Sequence, residues 1–357
     1  MNCIKPTLFY STLVLSVFLV ACGEEQDDTE RDQTYGEEAN EESADPLHVY
    51  TTLFPLEDFA NRIGGEHVEV ENIIPPGTDA HTFEPTAQKM ISVAEGDLFV
   101  YNGAGFEGFA DMIDDVLDGE NVEILEAVNG IDLIDFDHEH SHDHSHEEDE
   151  HGHDEGHDHS HEEDEHGHDE GHDHGHEEDE HDHGDKDPHV WLDPIRAIDL
   201  AENIKEALVE LRPEGKENFE ENFEDLKAEL EILDEEFQEM ADNKGQDTII
   251  VSHAGYGYWD ERYGIHQIGI AGLSPSNEPS IQQVQEAIEF AEENNINYVM
   301  FEQNIPTKVA ETVREQIGAE DLWLHNLEAL TEEDSEKDED YFSLMRRNID
   351  MLHSALQ

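Results

Sequence analysis

A histidine-rich run between His138 and His183 sets the first limit on what this chain can fold into. Its residues are almost only His, Asp, Glu, Gly and Ser, and it holds 17 of the 25 histidines. The unit HSHEEDEHGHDEGHD occurs at 144–158 and again at 159–173. Because none of these residue types can build a hydrophobic core, we predict a disordered insertion at 137–186 within a fold made by the flanking sequence.

Imidazole and carboxylate groups at this density predict metal capture, with zinc, copper and nickel preferred over magnesium or calcium. A solvated spacer is the alternative interpretation, but Gly, Ser and Glu would serve that purpose without histidine. The residues expected to bind metal weakly are His138, His140, His142, His144, His146, His151, His153, His157, His159, His161, His166, His168, His172, His174, His176, His181 and His183.

Residues 1–21 have the pattern of a signal peptide. Lys5 supplies the basic end, and the apolar stretch Leu8–Val20 is shorter than a membrane-spanning helix requires. The letters Leu-Val-Ala-Cys that end it resemble a bacterial lipobox, in which cleavage leaves Cys22 as a lipid-carrying N-terminus. An ordinary secretory signal with an incidental cysteine is the alternative. We therefore expect a secreted protein, lipid-anchored to the outer face of the bacterial cell membrane, with residues 22–46 as an acidic tether.

The charge of the chain narrows the choice of partners. There are 94 acidic residues against 17 Lys and Arg, which gives a formal net charge of −77. Nucleic acid is excluded as a partner because its phosphates would be repelled, whereas divalent cations would be attracted.

The sequence before the histidine-rich run alternates between strand and helix patterns. Such alternation predicts parallel βαβ units, and we place a first α/β lobe at 47–212. The predicted strands of this lobe are Leu47–Phe54, His67–Ile74, Asp97–Tyr101 and Asn121–Ala127.

One long amphipathic helix, Glu214–Asp242, is predicted after this lobe. Apolar residues recur there at steps of three and four. We treat 213–244 as a linking helix and 245–357 as a second α/β lobe. The predicted fold is therefore α/β, with two lobes of parallel βαβ units joined by one long rigid helix and a metal site in the cleft between the lobes. The strands of the second lobe are predicted at Thr248–Ser252, Ile265–Ile270, Ile296–Phe301 and Asp321–Leu327.

Eight histidines lie outside the repetitive run, and three of them are placed where ligands gather. His81, His189 and His253 lie at or just after predicted strand ends or beside ordered turns, and ligands of open α/β sheets bind at strand ends. For His48, His67, His266, His325 and His353, an exposed or packed histidine is the preferred interpretation.

Seven motifs resemble one family, the cluster A-I solute-binding lipoproteins of ABC metal-uptake systems, and in particular its zinc-binding branch. The resemblance extends from Leu47 to the C-terminus, and this branch commonly carries a His- and acid-rich loop where the present run lies. The motifs are PPGTDAHTFEPT around His81, NGAGFEGF at 102–109, DPHVWLDP around His189, VSHAGYGY around His253, GLSPSNEPS after it, FEQNIP at 301–306 and NLEALTEED at 326–334.

The resemblance implies metal ligands at His81, His189 and His253, with a fourth from a C-terminal carboxylate. That position matches Glu328, with Glu302 or water as alternatives. Three imidazoles and one carboxylate suit Zn²⁺, whereas manganese prefers more oxygen ligands, and the manganese branch typically has Glu at the position of His253. Asp79, Glu84 and Asp193, or else backbone carbonyls, are candidates for orienting the imidazoles.

The function implied by the resemblance is that of an extracytoplasmic zinc receptor and not an enzyme. We expect a monomer, tethered through its lipid, that delivers zinc to an ABC permease with its ATPase. The alternatives are manganese or iron uptake in the same fold, and an extracellular zinc buffer or adhesin. Since a protonated imidazole cannot bind metal, affinity is expected to fall below about pH 6.

Overall fold

The computed structural model describes residues 45–109, 113, 116–117, 119–136, 186–275 and 279–357. Asp45–Gln357 form one compact unit. The predicted signal peptide, nearly all of the acidic tether and the histidine-rich insertion lie outside the described residues, so these assignments stay predictions. Within the described ranges, no helix is both long and apolar enough to cross a bilayer.

The first sheet has four parallel strands in the order β2-β1-β3-β4. Helix α1 begins without a side-chain cap but has Pro55 in its first turn, and α2 is capped by Thr86. The elements are β1 (Leu47–Thr51), α1 (Phe54–Gly64), β2 (Val68–Asn72), α2 (Ala87–Ala94), β3 (Leu98–Tyr101) and β4 (Glu123–Glu126).

Two helices follow, α3 (Pro194–Leu211) and α4 (Lys216–Asp242). Asp193 caps α3 by accepting hydrogen bonds from the backbone of Ile195 and Arg196. The 27 residues of α4 extend over about 40 Å, and the helix packs on α1 and α3. The seven apolar positions that predicted this helix are all buried: Phe219, Phe223, Leu226, Leu230, Leu233, Phe237 and Met240.

The second sheet repeats the strand order of the first, β6-β5-β7-β8, again with all strands parallel. The predicted capping box at Ser280 is present at the start of α6, and α9 packs against α4 and α1. The elements are β5 (Thr248–His253), α5 (Gly257–Tyr263), β6 (His266–Ala271), α6 (Ile281–Asn294), β7 (Tyr298–Glu302), α7 (Lys308–Ile317), β8 (Glu320–Leu324), α8 (Glu332–Glu336) and α9 (Tyr341–Ala355).

The two-sheet α/β architecture with its long helix is thus confirmed. One hydrophobic core runs through both halves and includes Trp191, Trp259 and Tyr341, whereas a smaller cluster lies between the second sheet and helices α6 and α7. The predicted last strand is too long, because β8 ends at Leu324 and leaves His325 in the loop that follows.

Candidate metal centre

Four side chains from distant parts of the chain meet in one small group. Ligand atoms of His81, His189, His253 and Glu328 all lie within 4.8 Å of one another. The Nε2 atom of His189 is 3.5 Å from Nε2 of His81 and 3.4 Å from Nε2 of His253. Oε1 of Glu328 is 3.1 Å from Nε2 of His81 and 3.9 Å from Nε2 of His253.

The elements of both halves deliver these groups to the same place. His253 is the last residue of β5, and Glu328 follows β8 by four residues. His81 lies in a 3₁₀ turn, Ala80–Thr82, in the connection from β2 to α2. His189 immediately precedes a second 3₁₀ turn, Val190–Leu192, just before α3. The site therefore lies beyond carboxyl ends of parallel strands, where open α/β sheets bind ligands.

The imidazole of His189 is oriented by Asp187. Nδ1 of the ring is 2.8 Å from Oδ1 of Asp187, which also accepts a hydrogen bond from the backbone N–H of His189. Burial lowers the pKa of His189, although the neighbouring carboxylate opposes this effect. With the proton of the neutral ring on Nδ1, its lone pair on Nε2 points into the group.

The imidazole of His253 is held in the same manner by Glu302, the last residue of β7. Oε2 of Glu302 is 2.5 Å from Nδ1 of His253 and accepts a hydrogen bond from the Ser252 hydroxyl at 2.7 Å. Burial alone would lower the pKa of His253, but the charges of Glu302 and Glu328 raise it to about 9. With this pKa and no bound cation, the imidazole of His253 is protonated on both nitrogens and positively charged near neutral pH.

Glu328 is buried and ionised. Burial opposes its charge, but the electrostatic effect of the adjacent His81 ring, its hydrogen bond with that ring, and the effect of His253 lower the pKa of Glu328 below its ordinary value. Its peptide is fixed on both sides: its N–H donates to Oδ1 of Asn326, and its carbonyl accepts from the backbone N–H of Phe54. Glu328 is thus attached to α1 of the first half although it follows a strand of the second.

His81 has weaker support than the other two histidines. Asp79 accepts a hydrogen bond from the backbone N–H of His81 at 3.0 Å, which holds the turn but not the ring. The ring itself packs against Phe106, with centroids 4.5 Å apart. Among the described residues, no hydrogen bond reaches Nδ1 of His81.

Gly255 leaves the space that this group of side chains needs. A Cβ atom at this position would lie 2.6 Å from Nε2 of His253 and 3.4 Å from Cδ2 of His189. Any side chain here would therefore push the His253 ring away from its partners.

Three separations between the ligand atoms, 3.1, 3.4 and 3.5 Å, are close to those of a tetrahedral metal site, and a fourth is longer at 3.9 Å. Bonds of zinc to nitrogen and oxygen place neighbouring ligand atoms about 3.3 Å apart in a tetrahedron. The side chains are only 6% exposed at His81, 0% at His189, 1% at His253 and 3% at Glu328. Such a group can bind one divalent cation away from water.

The predicted orienting acids are wrong. Asp79 contacts only the backbone of His81, Glu84 is exposed, and Asp193 caps α3. The acids that contact Nδ1 of the grouped rings are Asp187, behind His189, and Glu302, behind His253. Asp187 could have been suspected, since it precedes His189 by two residues, whereas nothing local links Glu302 to His253.

Glu302 was the alternative fourth ligand, but it contacts Nδ1 of His253, on the far side of the ring from Nε2. The predicted lipid site Cys22 and the 17 histidines of the repetitive run lie outside the described residues.

Comparisons with known proteins show which proteins this chain resembles. A family model described as zinc-uptake complex component A, periplasmic, matches residues 49–355. The zinc-binding lipoprotein AdcA of Streptococcus pneumoniae serotype 4 is 32% identical over 349 residues, which are 98% of this chain and 60% of AdcA. The high-affinity zinc uptake system protein ZnuA of Bacillus subtilis (strain 168) is 32% identical over 312 residues, which are 87% of this chain and 88% of that protein.

The fold also matches a solved structure, the Zn(II)-bound ZnuA-like domain of Streptococcus pneumoniae AdcA. The TM-score is 0.66 at 29% identity, and the match covers 87% of this chain and 99% of that domain. The chain spans about 60% of the length of full AdcA.

Proposed function

The chain belongs to the family of zinc-uptake complex component A proteins, and on that premise we propose that it is an extracytoplasmic receptor that binds Zn²⁺ and delivers it to an ABC permease. The observation that carries the proposal is the grouping of four ligand atoms on side chains that are at most 6% exposed, with separations of 3.1, 3.4, 3.5 and 3.9 Å, close to the spacing of a tetrahedral site. The zinc ion is cargo, and no bond-making chemistry is required of the protein.

We assign the ligands as Nε2 of His81, His189 and His253 and a carboxylate oxygen of Glu328. Three nitrogen donors and one oxygen favour zinc over manganese, which prefers oxygen-rich sites. Glu302 supports the site from behind His253, where its bond to Nδ1 leaves Nε2 for the cation.

Family membership supports a proposal for the wider assembly. We propose that cleavage before Cys22 leaves a lipid anchor, that residues 22–46 act as a tether, and that a single copy of the receptor meets the permease and its ATPase. We further propose that the histidine-rich run gathers zinc weakly and raises its concentration near the tight site.

The test is the zinc affinity of the purified protein. It is measured by competition with a chelator that removes zinc from weak sites, so that only the tight site is observed. His189→Ala should lose at least a hundredfold in affinity, because one of four ligands and a fully buried ring are removed. His48→Ala, which alters a histidine whose side chain is 54% exposed, is the matched control and should bind like the unmodified protein.

Deletion of residues 138–183 should leave this affinity within about twofold while reducing the number of weakly bound ions. Equal affinities for the His189→Ala and His48→Ala variants would refute the assigned site. Loss of the tight site on deletion would refute the auxiliary role of the run.

A further inference from the structure

His325 is a fully buried histidine that is not among the four grouped ligands. It follows the end of β8 by one residue and precedes Glu328 by three. Both ring nitrogens have partners: Nδ1 accepts a hydrogen bond from the backbone N–H of Leu327 at 3.0 Å, and Nε2 lies 3.2 Å from Oδ2 of Asp334. Because Nδ1 must accept, the ring proton is on Nε2 and is donated to Asp334.

Leu327 has an unusual backbone conformation. Its φ angle is 62°, in the left-handed region that residues with a side chain rarely adopt. Strain of this kind persists only where the surroundings enforce it, and it concentrates at functional sites. Here the strained residue immediately precedes Glu328, so its backbone angles determine where the carboxylate of Glu328 points.

The peptide group between Asn326 and Leu327 is held at both of its polar atoms. Its carbonyl, that of Asn326, accepts a hydrogen bond from Nε1 of Trp191 at 2.9 Å, and its N–H, that of Leu327, donates to the ring of His325 at 3.0 Å. Beyond it, the carbonyl of Glu328 accepts from the backbone N–H of Phe54 at 3.1 Å. The imidazole is therefore the side-chain acceptor that fixes the N–H of the strained residue.

His325 is itself held by hydrogen bonds to its backbone N–H, its carbonyl and its ring. Asn348 accepts from its backbone N–H at 2.7 Å and donates to its carbonyl at 2.8 Å. Asp334, the acceptor for Nε2, also accepts from the hydroxyl of Thr331 at 2.5 Å and from Arg347 at 3.1 Å. The hydrogen bond from His325 and these other donors hold the pKa of Asp334 well below its usual range, so the acceptor stays charged.

We propose that His325 is a positioning residue for zinc binding: by accepting the N–H of Leu327 it holds the strained turn that aims Glu328 at the three imidazoles. The inference rests on the proposed function, in which Glu328 is a zinc ligand. It gives the chain a fourth essential histidine in the described region, one that acts through Glu328 and never touches the metal.

Two substitutions separate the roles of the two ring nitrogens. His325→Asn places an amide oxygen near the position of Nδ1 and can still accept from Leu327, whereas His325→Gln places its amide near Nε2 and loses that acceptor. We expect about a tenfold loss of zinc affinity for His325→Gln, similar to losses seen when groups behind metal ligands are removed, and largely restored affinity for His325→Asn.

A double-mutant cycle with Glu328→Ala tests whether the effect passes through Glu328. In that background His325→Gln should cost nothing further, and any general loss of stability is common to both backgrounds. The visible spectrum of bound Co²⁺ adds a second readout. His325→Gln should weaken the intense bands of a four-coordinate site toward those of Glu328→Ala, and His325→Asn should keep them.

Equal losses for the Asn and Gln variants, or a His325→Gln loss that persists in the Glu328→Ala background, would overturn the positioning role while leaving the zinc site intact. Absence of tight zinc binding in the unmodified protein would overturn the proposed function itself. If the His325→Gln variant does not fold, Asp334→Asn can be used in its place. This substitution keeps the size of the Asp334 side chain and changes the group that accepts the proton of Nε2 of His325. Its amide permits the other ring tautomer, so a loss of affinity coupled to Glu328 is expected, and an additive loss would count against the proposal.

Discussion

The two sides of the metal centre are built differently. On the inner side, the rings of His189 and His253 are 0% and 1% exposed, and each has Nδ1 against a buried carboxylate, Asp187 or Glu302. On the outer side, His81 lies in a short turn that Asp79 holds through the backbone alone. The inner rings are thus oriented before a cation arrives, whereas the outer ring depends on contacts with Phe106 and Glu328.

This difference indicates which ligands are already oriented for metal binding and therefore contribute most to zinc affinity. A carboxylate behind an imidazole fixes its tautomer and raises its basicity, so the ring loses little freedom when metal binds. His189 and His253 on the inner side therefore form a preorganised pair of ligands, and His81 on the outer side completes the site. Perturbing the carboxylates of the inner side should cost far more affinity than perturbing Asp79.

Acidification tests the inner side and has the largest expected effect. Since the pKa of free His253 is raised to about 9, a proton competes with zinc throughout the neutral range. Affinity should fall about tenfold for each pH unit below that value, hence about a hundredfold from pH 8 to pH 6. The loss of zinc affinity therefore begins at a higher pH than the value near 6 expected for an unperturbed histidine.

Calorimetry in buffers of different ionisation enthalpy should show about one proton released per zinc near pH 7. Affinity that is constant down to pH 6, with no proton released, would show that His253 is already neutral before zinc binds.

Glu302→Gln removes the charge behind His253 and is expected to lower zinc affinity ten- to hundredfold. It should also reduce the proton release near pH 7, because Glu302 contributes most to the raised pKa of His253. Chelator competition measures the affinity, and Glu320→Gln, at the exposed start of β8, is the control. Similar zinc affinities for the Glu302→Gln and Glu320→Gln variants would show that the carboxylate behind His253 does not strengthen the inner side of the site.

Gly255→Ala displaces the inner ring directly. The new Cβ would lie 2.6 Å from Nε2 of His253, so the ring must move from Glu302, and about a tenfold loss of affinity is expected. Gly108→Ala is the matched control, because among the described residues no atom other than those of its chain neighbours lies within 4 Å of the Cβ it would add. Chelator competition on the two variants measures the difference, and unchanged affinity for Gly255→Ala would mean that the inner side is not rigid.

Asp79→Ala perturbs the outer side and should have the smallest effect. It removes the acceptor for the backbone N–H of His81 but leaves the ring contacts in place. Loss of such a cap at the low end of its usual cost corresponds to about a twofold to threefold loss of affinity. A loss as large as that of Glu302→Gln, in the same competition assay, would show that the outer ligand is as strongly preset as the inner pair.

Hydrophobic spacing predicted the fold well because each element is encoded by its own residues. Steps of three and four predicted α4 and its buried face, and the eight strands found among the described residues all overlap their predicted ranges. Errors lie at element ends, such as β8, and in the short helix α8, which was missed. The polar loop that contains α8 has no apolar period to reveal it, and its order depends on contacts of Asp334 with His325 and Arg347.

The sequence alone determined the order of strands and helices and the kinds of ligand, because apolar periodicity and the motifs around each histidine are local properties. Tertiary structure decided which acid orients His253 and how the ligands meet. Glu302 meets His253 across 49 positions of sequence, and Glu328 meets His81 across 247. Such pairs form only when two sheets and the helices between them pack together. The motif NLEALTEED singled out Glu328 as a ligand, but with 94 acidic residues in the chain, no local signal singled out Glu302 as the partner of His253.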